Sequence, residues 1–509
     1  MGMKLQGMAP PVRVFDDSGI YRDDHGVLHY ISQPASIVEM LVNSVTNSPA
    51  AIAVQEVSGP GITYLELLDR VEITAGGLVE SGVSPGDRVG MLLGNGIDWV
   101  VAFFAIAFSG AVIVPINTRL AQNEIDYIVA DSGVKYVFRP GNAFPTGQPF
   151  RYVGAGRSDL AQVLYTSGTT GFPKGAMLSN DNVLSNIETG LRIVPLTRHA
   201  LRNLVSVPLF HVTGSNAQMV PTIALGGTLV VMPVFDVKAF IAAIRDYEID
   251  TLVSVPAIYW FALVQPEFET LDTSRVKCVL YGGAPMPPDL VHRLMKAFPN
   301  ARVGNGFGLT ETSSVATFLP HEYAEAHAES VGFPAPTTEV DLFEVDPQTG
   351  VGELLVRGSN VAMGYWNKPD ATREAFVDGW LHTGDLARID PDGLVTIVDR
   401  KKDMINRGGE NVYCVEVENV LAEFPGVFEV AVIGVPDEMM GEKVGAIVVP
   451  VPGAPFSAQA MVEFARTRLA DYKVPQYVWV KDGMLPRNAG GKVLKPELRT
   501  EAKWGLALF

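Results

Sequence analysis

The sequence predicts an α/β fold, with a large, internally subdivided N-terminal domain and a small α+β C-terminal domain. Through most of the chain, short β-branched runs alternate with helical patterns, which is typical of parallel sheets covered by helices. From Glu339 onward the strands become short and turns separate them, which predicts a small barrel-like unit. A charged run then follows at 400–403. We therefore expect one domain over residues 1–399, a hinge at 400–403 and a second domain over 404–509.

The elements of the large domain follow from hydrophobic periodicity. The predicted strands are Arg88–Leu93, Ala111–Val114, Val134–Phe138, Leu204–Pro208, Thr228–Met232 and Thr251–Val255. The predicted helices are Trp99–Phe108, Gln122–Ser132, Val237–Tyr247 and Pro287–Ala297. The uncharged stretch Trp99–Ile116 is close in length to a membrane span. Because Ser109-Gly110 and Pro115 interrupt it, a buried helix followed by a buried strand is the better prediction.

The end of the chain alternates between short strands and helices in a different order. The predicted elements are strands Glu353–Arg357, Ala387–Ile389 and Val395–Asp399, then helix Val415–Glu423, strands Val430–Gly434 and Val444–Val449, helix Ala458–Arg468 and strand Gln476–Val480. The segment Pro140–Gly156 has no periodicity and predicts an exposed connection inside the large domain.

Charge and cysteine content narrow the function. The chain has 509 residues and a formal net charge of −17, so nucleic acid is not expected as its main partner. The charge is −1 over 401–509 and −16 before that point. Cys278 and Cys414 lie in apolar runs and are predicted to be buried, reduced thiols. Met1–Val14 lacks the apolar stretch of a secretory signal, so a cytoplasmic location is expected.

A loop rich in glycine and hydroxyl groups is the strongest local motif. An apolar strand, Gln162–Tyr165, runs into Thr-Ser-Gly-Thr-Thr-Gly-Phe-Pro and then Lys174. Backbone amides, hydroxyls and an ammonium in such a loop favour an anion, and a phosphate in particular. The segment is not a P-loop, because Pro173 precedes Lys174 and Gly175 follows it. A mobile surface loop remains the alternative for this motif alone.

Further segments in the same order resemble the adenylate-forming superfamily of acyl-CoA synthetases, aryl-CoA ligases and luciferases, most closely the fatty-acid–CoA ligases. They are Tyr281-Gly-Gly-Ala-Pro, Asn305-Gly-Phe-Gly-Leu-Thr-Glu, Trp380-Leu-His-Thr-Gly-Asp, Asp399-Arg400, Ile405-Asn-Arg-Gly-Gly-Glu-Asn-Val-Tyr and Pro486-Arg-Asn-Ala-Gly-Gly-Lys-Val. The resemblance spans nearly the whole chain. It implies that ATP, CoA and Mg²⁺ bind, and that a carboxylic acid becomes an acyl-adenylate and then a thioester.

The resemblance also implies roles for individual residues. The implied ATP- and AMP-binding residues are Thr166, Ser167, Gly168, Thr169, Thr170, Lys174, Gly283, Ala284, Pro285, Asn305, Gly306, Phe307, Gly308, Thr310, Asp385, Ile397, Arg400 and Lys492. Asp385 is expected to hold the ribose hydroxyls, and Thr310 the α-phosphate. Glu311 and Thr166 are the expected Mg²⁺ ligands. Phe307 stands where relatives often carry Tyr, so stacking on adenine survives but a phenolic hydrogen bond does not.

The second half-reaction and the acid have their own implied residues. The implied catalytic residues are Lys492, Thr310, Glu311 and His211; the CoA contacts are Arg407, Gly408, Gly409 and Lys473; the acyl pocket holds His211, Val212, Ser215, Tyr281 and Gly282; and the hinge residue is Lys402. Lys492 would stabilise charge developing between the carboxylate and the α-phosphate. A solvated surface cation is an equally good interpretation of Lys473.

An ATP-dependent acyl-CoA synthetase working by domain alternation is thus the predicted function. A medium- or long-chain fatty acid is the favoured substrate and an aryl or cyclic acid the alternative. His211 stands where amino-acid-activating relatives carry Asp, which argues against an amino acid, and no Arg is available for a second carboxylate. Transfer of the adenylate to a carrier protein, or a silent nucleotide-binding protein, are the competing classes. Transient membrane contact is compatible with a lipid substrate, and the sequence does not indicate an oligomeric state.

Overall fold

The computed structural model describes residues 14–166, 173–194, 196–284, 286–487 and 493–505. It has the predicted fold class: a large N-terminal domain built on parallel sheets, and a small C-terminal α+β domain. The elements up to the glycine-rich loop are β1 (Ile20–Arg22), β2 (Leu28–Tyr30), α1 (Ile37–Asn47), β3 (Ile52–Glu56), β4 (Gly61–Thr63), α2 (Tyr64–Glu80), β5 (Arg88–Met91), α3 (Ile97–Phe108), β6 (Val112–Pro115), α4 (Gln122–Ser132), β7 (Tyr136–Phe138) and β8 (Leu160–Thr166).

The middle of the chain supplies most of the central sheet and its helices. Its elements are β9 (Lys174–Ser179), α5 (Asn180–Ile193), β10 (Arg202–Val205), α6 (Val212–Gly214), α7 (Val220–Ala224), β11 (Thr228–Val231), α8 (Val237–Asp246), β12 (Thr251–Ser254), α9 (Pro256–Leu263), β13 (Cys278–Gly282), α10 (Pro288–Ala297), β14 (Arg302–Phe307), β15 (Thr317–Leu319), α11 (His321–Ala324) and β16 (Phe333–Pro334). Within the described residues, a sheet runs in the order β16-β15-β14-β13-β12-β10-β11-β3-β4, parallel from β14 to β3. A second sheet runs β7-β5-β6-β8-β9.

The expected change of pattern after Glu339 is an antiparallel sheet. It contains β17 (Thr338–Phe343), β18 (Gly352–Gly358), β19 (Phe376–Val377), β20 (Trp380–Ile389) and β21 (Val395–Arg400), with helix α12 (Pro369–Ala375) between β18 and β19. The small domain contains β22 (Ile405–Arg407), β23 (Glu410–Val412), α13 (Cys414–Ala422), β24 (Val427–Asp437), β25 (Gly441–Pro450), α14 (Ala458–Arg466), β26 (Tyr477–Val480) and α15 (Lys495–Glu501). Its sheet order is β23-β22-β25-β24, and β26 pairs with β25.

The uncharged stretch Trp99–Ile116 is a buried helix, α3, followed by the buried strand β6, as predicted. Trp99, Phe103 and Phe108 on this helix are completely inaccessible to solvent. None of the helices in the described part of the chain combines the length and apolar character of a membrane span. Cys278 and Cys414 are buried free thiols, as expected.

The sequence analysis did not predict helix α5, whose buried residues combine apolar side chains, Val183, Leu184 and Ile187, with several amides. Asn182 donates from Nδ2 to the carbonyls of Ser359 and Val361, at 2.8 and 2.9 Å. Asn186 donates to the carbonyl of Ser313 at 3.0 Å. These amides satisfy loop carbonyls that burial would otherwise leave unpaired. Hydrophobic periodicity alone does not predict a helix with so many buried amides. Helix α5 nevertheless forms one wall of the site described below.

Each domain has its own apolar core. The large core gathers side chains from α1–α3, α7–α10 and the central sheet, whereas the small core contains Ile405, Val412, Val417 and Val444. A third, small cluster bridges the predicted boundary, because Leu386 and Val398 of the antiparallel sheet pack with Tyr413. The two domains are therefore joined by a limited apolar contact at the hinge.

Candidate active site

The glycine-rich loop lies in the chain between strands β8 and β9, which pair antiparallel. Thr166 and Lys174 are paired across this hairpin, so the strands bring both ends of the loop together. The predicted phosphate contacts Ser167, Gly168, Thr169 and Thr170 lie outside the described residues. At the end of the hairpin, the ammonium of Lys174 lies 5.2 Å from the ring centre of Tyr365, a cation–π contact.

Tyr365 connects this hairpin to Glu311, the predicted Mg²⁺ ligand. Its hydroxyl donates to Oε1 of Glu311 at 2.8 Å. The backbone carbonyl of Glu311 accepts from the amide of Ala362 at 2.8 Å, which fixes the short 3₁₀ turn Thr310–Thr312 against the same segment. Burial and the neighbouring carboxylate raise the pKa of Tyr365, so the phenol stays protonated. The sequence analysis missed Tyr365, and no motif in the sequence marks it.

The segments predicted to face adenine leave adjacent parallel strands. Tyr281 is in register with Asn305, and Gly282 with Gly306, at the carboxyl ends of β13 and β14. Ligands of open α/β sheets bind at such ends. A side chain at Gly282 would come within 2.2 Å of the carbonyl oxygen of Gly306, so this close approach requires glycine. Asn305 is buried and donates to the carbonyl of Ser330 at 3.2 Å.

The other residues predicted to contact adenine lie at or just after the ends of strands β13 and β14. Gly283 and Ala284 continue from the end of β13, Phe307 ends β14, and Gly308 follows it. Pro285 lies outside the described residues. The glycines therefore form an edge of the site at which Phe307 is only partly buried.

The predicted ribose site is a buried ion pair. Asp385 on β20 is in register with Arg400 on β21, and Nε of Arg400 lies 2.6 Å from Oδ1 of Asp385. The Asp385 side chain is only 3% exposed. Ile397 is in register with Ala387 on the same two strands. A carboxylate held in this way has a fixed orientation, as a receptor for two vicinal hydroxyls requires.

Glu353 is a second buried carboxylate beside this pair, and no sequence motif indicates it. It accepts from the amide of Gly384 at 3.1 Å and from Nζ of Lys401 at 3.0 Å. Burial raises its pKa, but Lys401 and His382 outweigh that effect and hold the pKa below its usual range. Glu353 thereby fixes the turn that presents Asp385.

The predicted hinge is cross-linked to the small domain by buried polar contacts. Asp399 accepts from the backbone amide of Cys414, and the Cys414 thiol donates to the carbonyl of Asp403 at 3.0 Å. Lys495 pairs with Glu418 at 2.8 Å nearby. Burial raises the pKa of Asp399 to about 6, against the opposing charge of Lys495. Lys402 lies between these anchored residues on an exposed turn.

The predicted CoA contacts form a hairpin turn. Arg407 pairs with Glu410 across β22 and β23, which leaves Gly408 and Gly409 as the two turn residues, with φ of 64° and 92°. Positive φ at both positions is the glycine-favouring geometry of a tight hairpin. Lys473 is engaged by both carboxylate oxygens of Glu416, at 2.7 and 2.8 Å. The predicted catalytic Lys492 lies outside the described residues.

A cavity of ≈ 110 Å³ lies between helix α5, the α6–α7 segment and strands β10, β12 and β13. Three of the predicted acyl-pocket residues line it, namely Val212, Tyr281 and Gly282. His211 caps the adjacent helix α6, and Ser215 follows that helix, but neither is among the lining residues in the described structure. The cavity is also bordered by Gly283, Gly306 and Gly308, so it opens onto the predicted nucleotide segments.

The cavity wall combines an apolar cluster with isolated amides. The apolar part is Ile193, Val194, Leu196, Leu280, Val315 and Phe318. The sequence analysis missed Asn203 and Gln218, which also line it. Asn203 follows Arg202 and Gln218 lies in the polar segment Ser-Asn-Ala-Gln, so no local pattern in the sequence distinguishes them.

Comparison with known proteins identifies the family. Residues 41–149 and 139–366 match the AMP-binding enzyme family, and residues 416–492 match the AMP-binding enzyme C-terminal domain. The chain is 38% identical over 476 residues to a feruloyl-CoA synthase of Amycolatopsis sp, covering 89% of this chain and 96% of the relative. It is 37% identical over 496 residues to the long-chain-fatty-acid–CoA ligase FadD13 of Mycobacterium tuberculosis, covering 91% and 97%.

A solved structure supports the same conclusion. The o-succinylbenzoate–CoA synthetase MenE of Bacillus subtilis, in complex with ATP and magnesium, superposes with a TM-score of 0.82 at 29% identity, covering 92% of this chain and 100% of MenE. The chain therefore belongs to the AMP-binding enzyme family, the adenylate-forming enzymes. Within that class it is an AMP-forming acid–CoA ligase.

Proposed function

We propose that this ligase activates a compact aryl or cyclic carboxylic acid, and that one cleft performs both half-reactions by rotation of the small domain. In the first step a carboxylate oxygen attacks the α-phosphorus of ATP, and the bond to pyrophosphate breaks. In the second step the CoA thiol loses its proton and attacks the acyl carbon, and AMP leaves. The observation that carries the choice of acid is the size of the cavity beside the nucleotide segments.

The small volume of the cavity favours a compact acid over an extended chain. A cavity of about 150 Å³ in another protein holds a single benzene molecule, and this one has ≈ 110 Å³. An extended fatty acid would require side chains of the wall to move. The 38% identical feruloyl-CoA synthase also favours an aryl acid.

A medium- or long-chain fatty acid is the second candidate. The apolar cluster around Leu280 and Phe318 suits an alkyl chain, and the fatty-acid ligase FadD13 is 37% identical. No charged side chain is among the described lining residues, so neither candidate carries a second carboxylate into the cavity.

The residues that would hold ATP and Mg²⁺ fit those ligands. Among the described residues no group of three or more acidic, His or Cys side chains could hold a metal by itself. Mg²⁺ in nucleotide sites uses one or two carboxylates together with substrate phosphates, and Glu311 with the hydroxyl of Thr166 suits that pattern. Bound Mg²⁺ would neutralise phosphate charge. Thr310 would bind the α-phosphate, Lys174 the outer phosphates, and Asp385 the ribose hydroxyls.

The two half-reactions use different faces of the small domain in this proposal. Lys492 would stabilise the pentavalent phosphorus during adenylate formation. The Gly408–Gly409 turn, with Arg407, would approach the pantetheine thiol during thioester formation. Rotation about a hinge at Lys402 would bring each of these two faces to the cleft in turn, since a few residues at the end of an element suffice for domain rotation. Lys473 is paired with Glu416, so it would contact a CoA phosphate only after its ion pair with that carboxylate breaks.

The experiment measures kcat/KM for acyl-CoA formation with cinnamate, benzoate, cyclohexanecarboxylate, octanoate and palmitate. Acid-dependent exchange of pyrophosphate into ATP, measured in parallel, reports the first half-reaction alone. We expect a ring-bearing acid to give the highest kcat/KM. A higher value for palmitate than for every ring-bearing acid would overturn the compact-acid proposal in favour of the fatty acid.

A further inference from the structure

Two buried polar atoms in the wall of the acid cavity have no hydrogen-bond partner among the described residues. They are Oδ1 of Asn203 and Oε1 of Gln218. Both residues are at most 3% exposed. Buried polar atoms are nearly always paired, and an unpaired one costs free energy. Two unpaired acceptors beside one apolar cavity indicate a ligand that supplies the missing partners.

The partners of the two amides fix which atom faces the cavity. Asn203 donates from Nδ2 to the hydroxyl of Thr222 at 3.1 Å. Gln218 donates from Nε2 to the carbonyl of Thr213 at 3.1 Å, within the π-helical turn Ser215–Met219. The remaining amide oxygens can only accept. The ligand must therefore donate a hydrogen bond, and because no charged residue lines the described wall, a neutral hydroxyl fits better than an ammonium.

The strand register places one acceptor far from the reacting end. Asn203 is in register with Thr251, and Thr251 with Cys278 at the start of β13. Gly282, which borders the nucleotide segments, is four residues further along β13. At about 3.3 Å per residue this offset is roughly 13 Å along the strands. A ligand hydroxyl that donates to Asn203 would thus lie at the tail of the acid, remote from the carboxylate.

We infer that the acid is hydroxylated at its far end, and that Asn203 and Gln218 select it by binding this hydroxyl. The inference rests on the proposed function, because it assumes that the cavity holds the acid. A site built to bind a substrate hydroxyl discriminates strongly against the analogue that lacks it, since its polar atoms then stay unpaired. An acid with an apolar tail would leave these amide oxygens unpaired and would therefore bind less well.

The test compares acids that differ by one hydroxyl: 4-hydroxycinnamate with cinnamate, and 8-hydroxyoctanoate with octanoate. For the wild-type enzyme we expect kcat/KM to favour the hydroxylated acid of at least one pair by about tenfold or more. In Asn203→Leu and Gln218→Met the preference should shrink several-fold, with the loss confined to the hydroxylated acid.

A matched variant controls for the loss of a buried amide. Gln33→Met removes an Oε1 that is likewise without a hydrogen-bond partner in the described structure, but lies outside the cavity. It should leave the preference unchanged. Equal or lower kcat/KM for both hydroxylated acids, as water retained on the amides would produce, overturns the inference. If instead no acid supports pyrophosphate exchange, the proposed function fails.

Discussion

Tyr365 shows how much one side chain contributes to this site. Its ring holds the ammonium of Lys174, while its hydroxyl holds the carboxylate of Glu311. A cation–π contact at a partly desolvated site is worth about 0.5–2 kcal/mol, and a hydrogen bond to a charged group about 1.5–3 kcal/mol. One buried phenol therefore fixes both the ammonium that we propose for phosphate and the carboxylate that we propose for Mg²⁺.

Tyr365→Phe should separate these two contributions. The ring remains over Lys174, but Glu311 loses its hydrogen bond. We expect kcat/KM for pyrophosphate exchange to fall about tenfold, and the Mg²⁺ concentration for half-maximal exchange to rise. Tyr323→Phe, on helix α11, is the matched control and should leave both unchanged. An unaltered Mg²⁺ dependence in Tyr365→Phe would show that this phenol does not position Glu311.

The sequence was informative about residues whose role is local and uninformative about those whose partners are distant. The turn Gly408–Gly409 and the pair Asp385–Arg400 stand in recognisable segments. Tyr365 acquires its role only when the chain after β18 packs beside the β8–β9 hairpin, where Ala176 and Tyr365 form a bridge. Asn203 likewise acquires its role from a helix that lies beside its strand. Such contacts depend on tertiary packing, which no single segment encodes.

Elements were predicted well where hydrophobic periodicity dominates. Helix α4 has the predicted bounds Gln122–Ser132, and the strands of the parallel sheets differ by a few residues at their ends. Helix α5 was missed because its buried side is amide-rich. The segment Pro140–Gly156 is an irregular connection as predicted, but it lies against helix α2, where Gly76 and Gly77 allow close approach.

On strand β21, beside the predicted hinge, Asp399 makes the stability of the folded chain dependent on pH. Its pKa is about 6 in the folded chain because of burial, against about 3.9 in an unfolded chain. The folded state therefore binds more protons between these values, and its stability falls as the pH rises from about 4 to 6. Relative to Asp399→Asn, the wild type should lose roughly 2–3 kcal/mol over this range.

The measurement is the difference in melting temperature between wild type and Asp399→Asn from pH 4.5 to 8. The melting temperature of the wild type should fall relative to that of Asp399→Asn as the pH rises to about 6. The difference should be constant above about pH 7. Asp392→Asn, at an exposed turn, provides the control and should show no trend. A difference that is independent of pH would contradict a raised pKa at Asp399.

Lys402→Pro tests the hinge itself. Proline fixes φ near −65° and so prevents the backbone rotation that domain exchange requires. The neighbouring amides of Lys401 and Asp403 hold the turn by bonds to Gly384 and Arg400. We expect thioester formation to fall by a factor of ten or more while pyrophosphate exchange is retained. Lys402→Ala, which keeps a free φ, should behave as wild type; full thioester formation in Lys402→Pro would exclude a hinge at this residue.

At the scale of the whole molecule, two cores joined by a limited contact suit a domain that moves. Besides the cluster at the hinge, Trp260 on helix α9 meets Phe428 on β24 edge to face, with ring centres 5.0 Å apart. This contact spans the two domains and must break if the small domain rotates. Loss of this aromatic contact would contribute about 0.5–1.5 kcal/mol to the cost of rotation.

Trp260 should report that rotation by its fluorescence. In wild type we expect a change in tryptophan emission when CoA is added to enzyme carrying the acyl-adenylate. Trp260→Phe should lose that change, whereas Trp479→Phe, inside the small domain, should retain it. Thioester formation without any emission change from Trp260 would mean that the Trp260–Phe428 contact survives the second half-reaction.

The central proposal is that two faces of the small domain serve the two half-reactions separately. Lys492→Ala tests it most directly. Pyrophosphate exchange and thioester formation from a synthetic acyl-adenylate are measured on the same preparation. Loss of the ammonium should reduce exchange by about 10²–10³-fold and leave thioester formation from the supplied adenylate within a few-fold of wild type. An equal loss in both reactions, or no loss of exchange, would contradict separate catalytic faces exchanged by domain rotation.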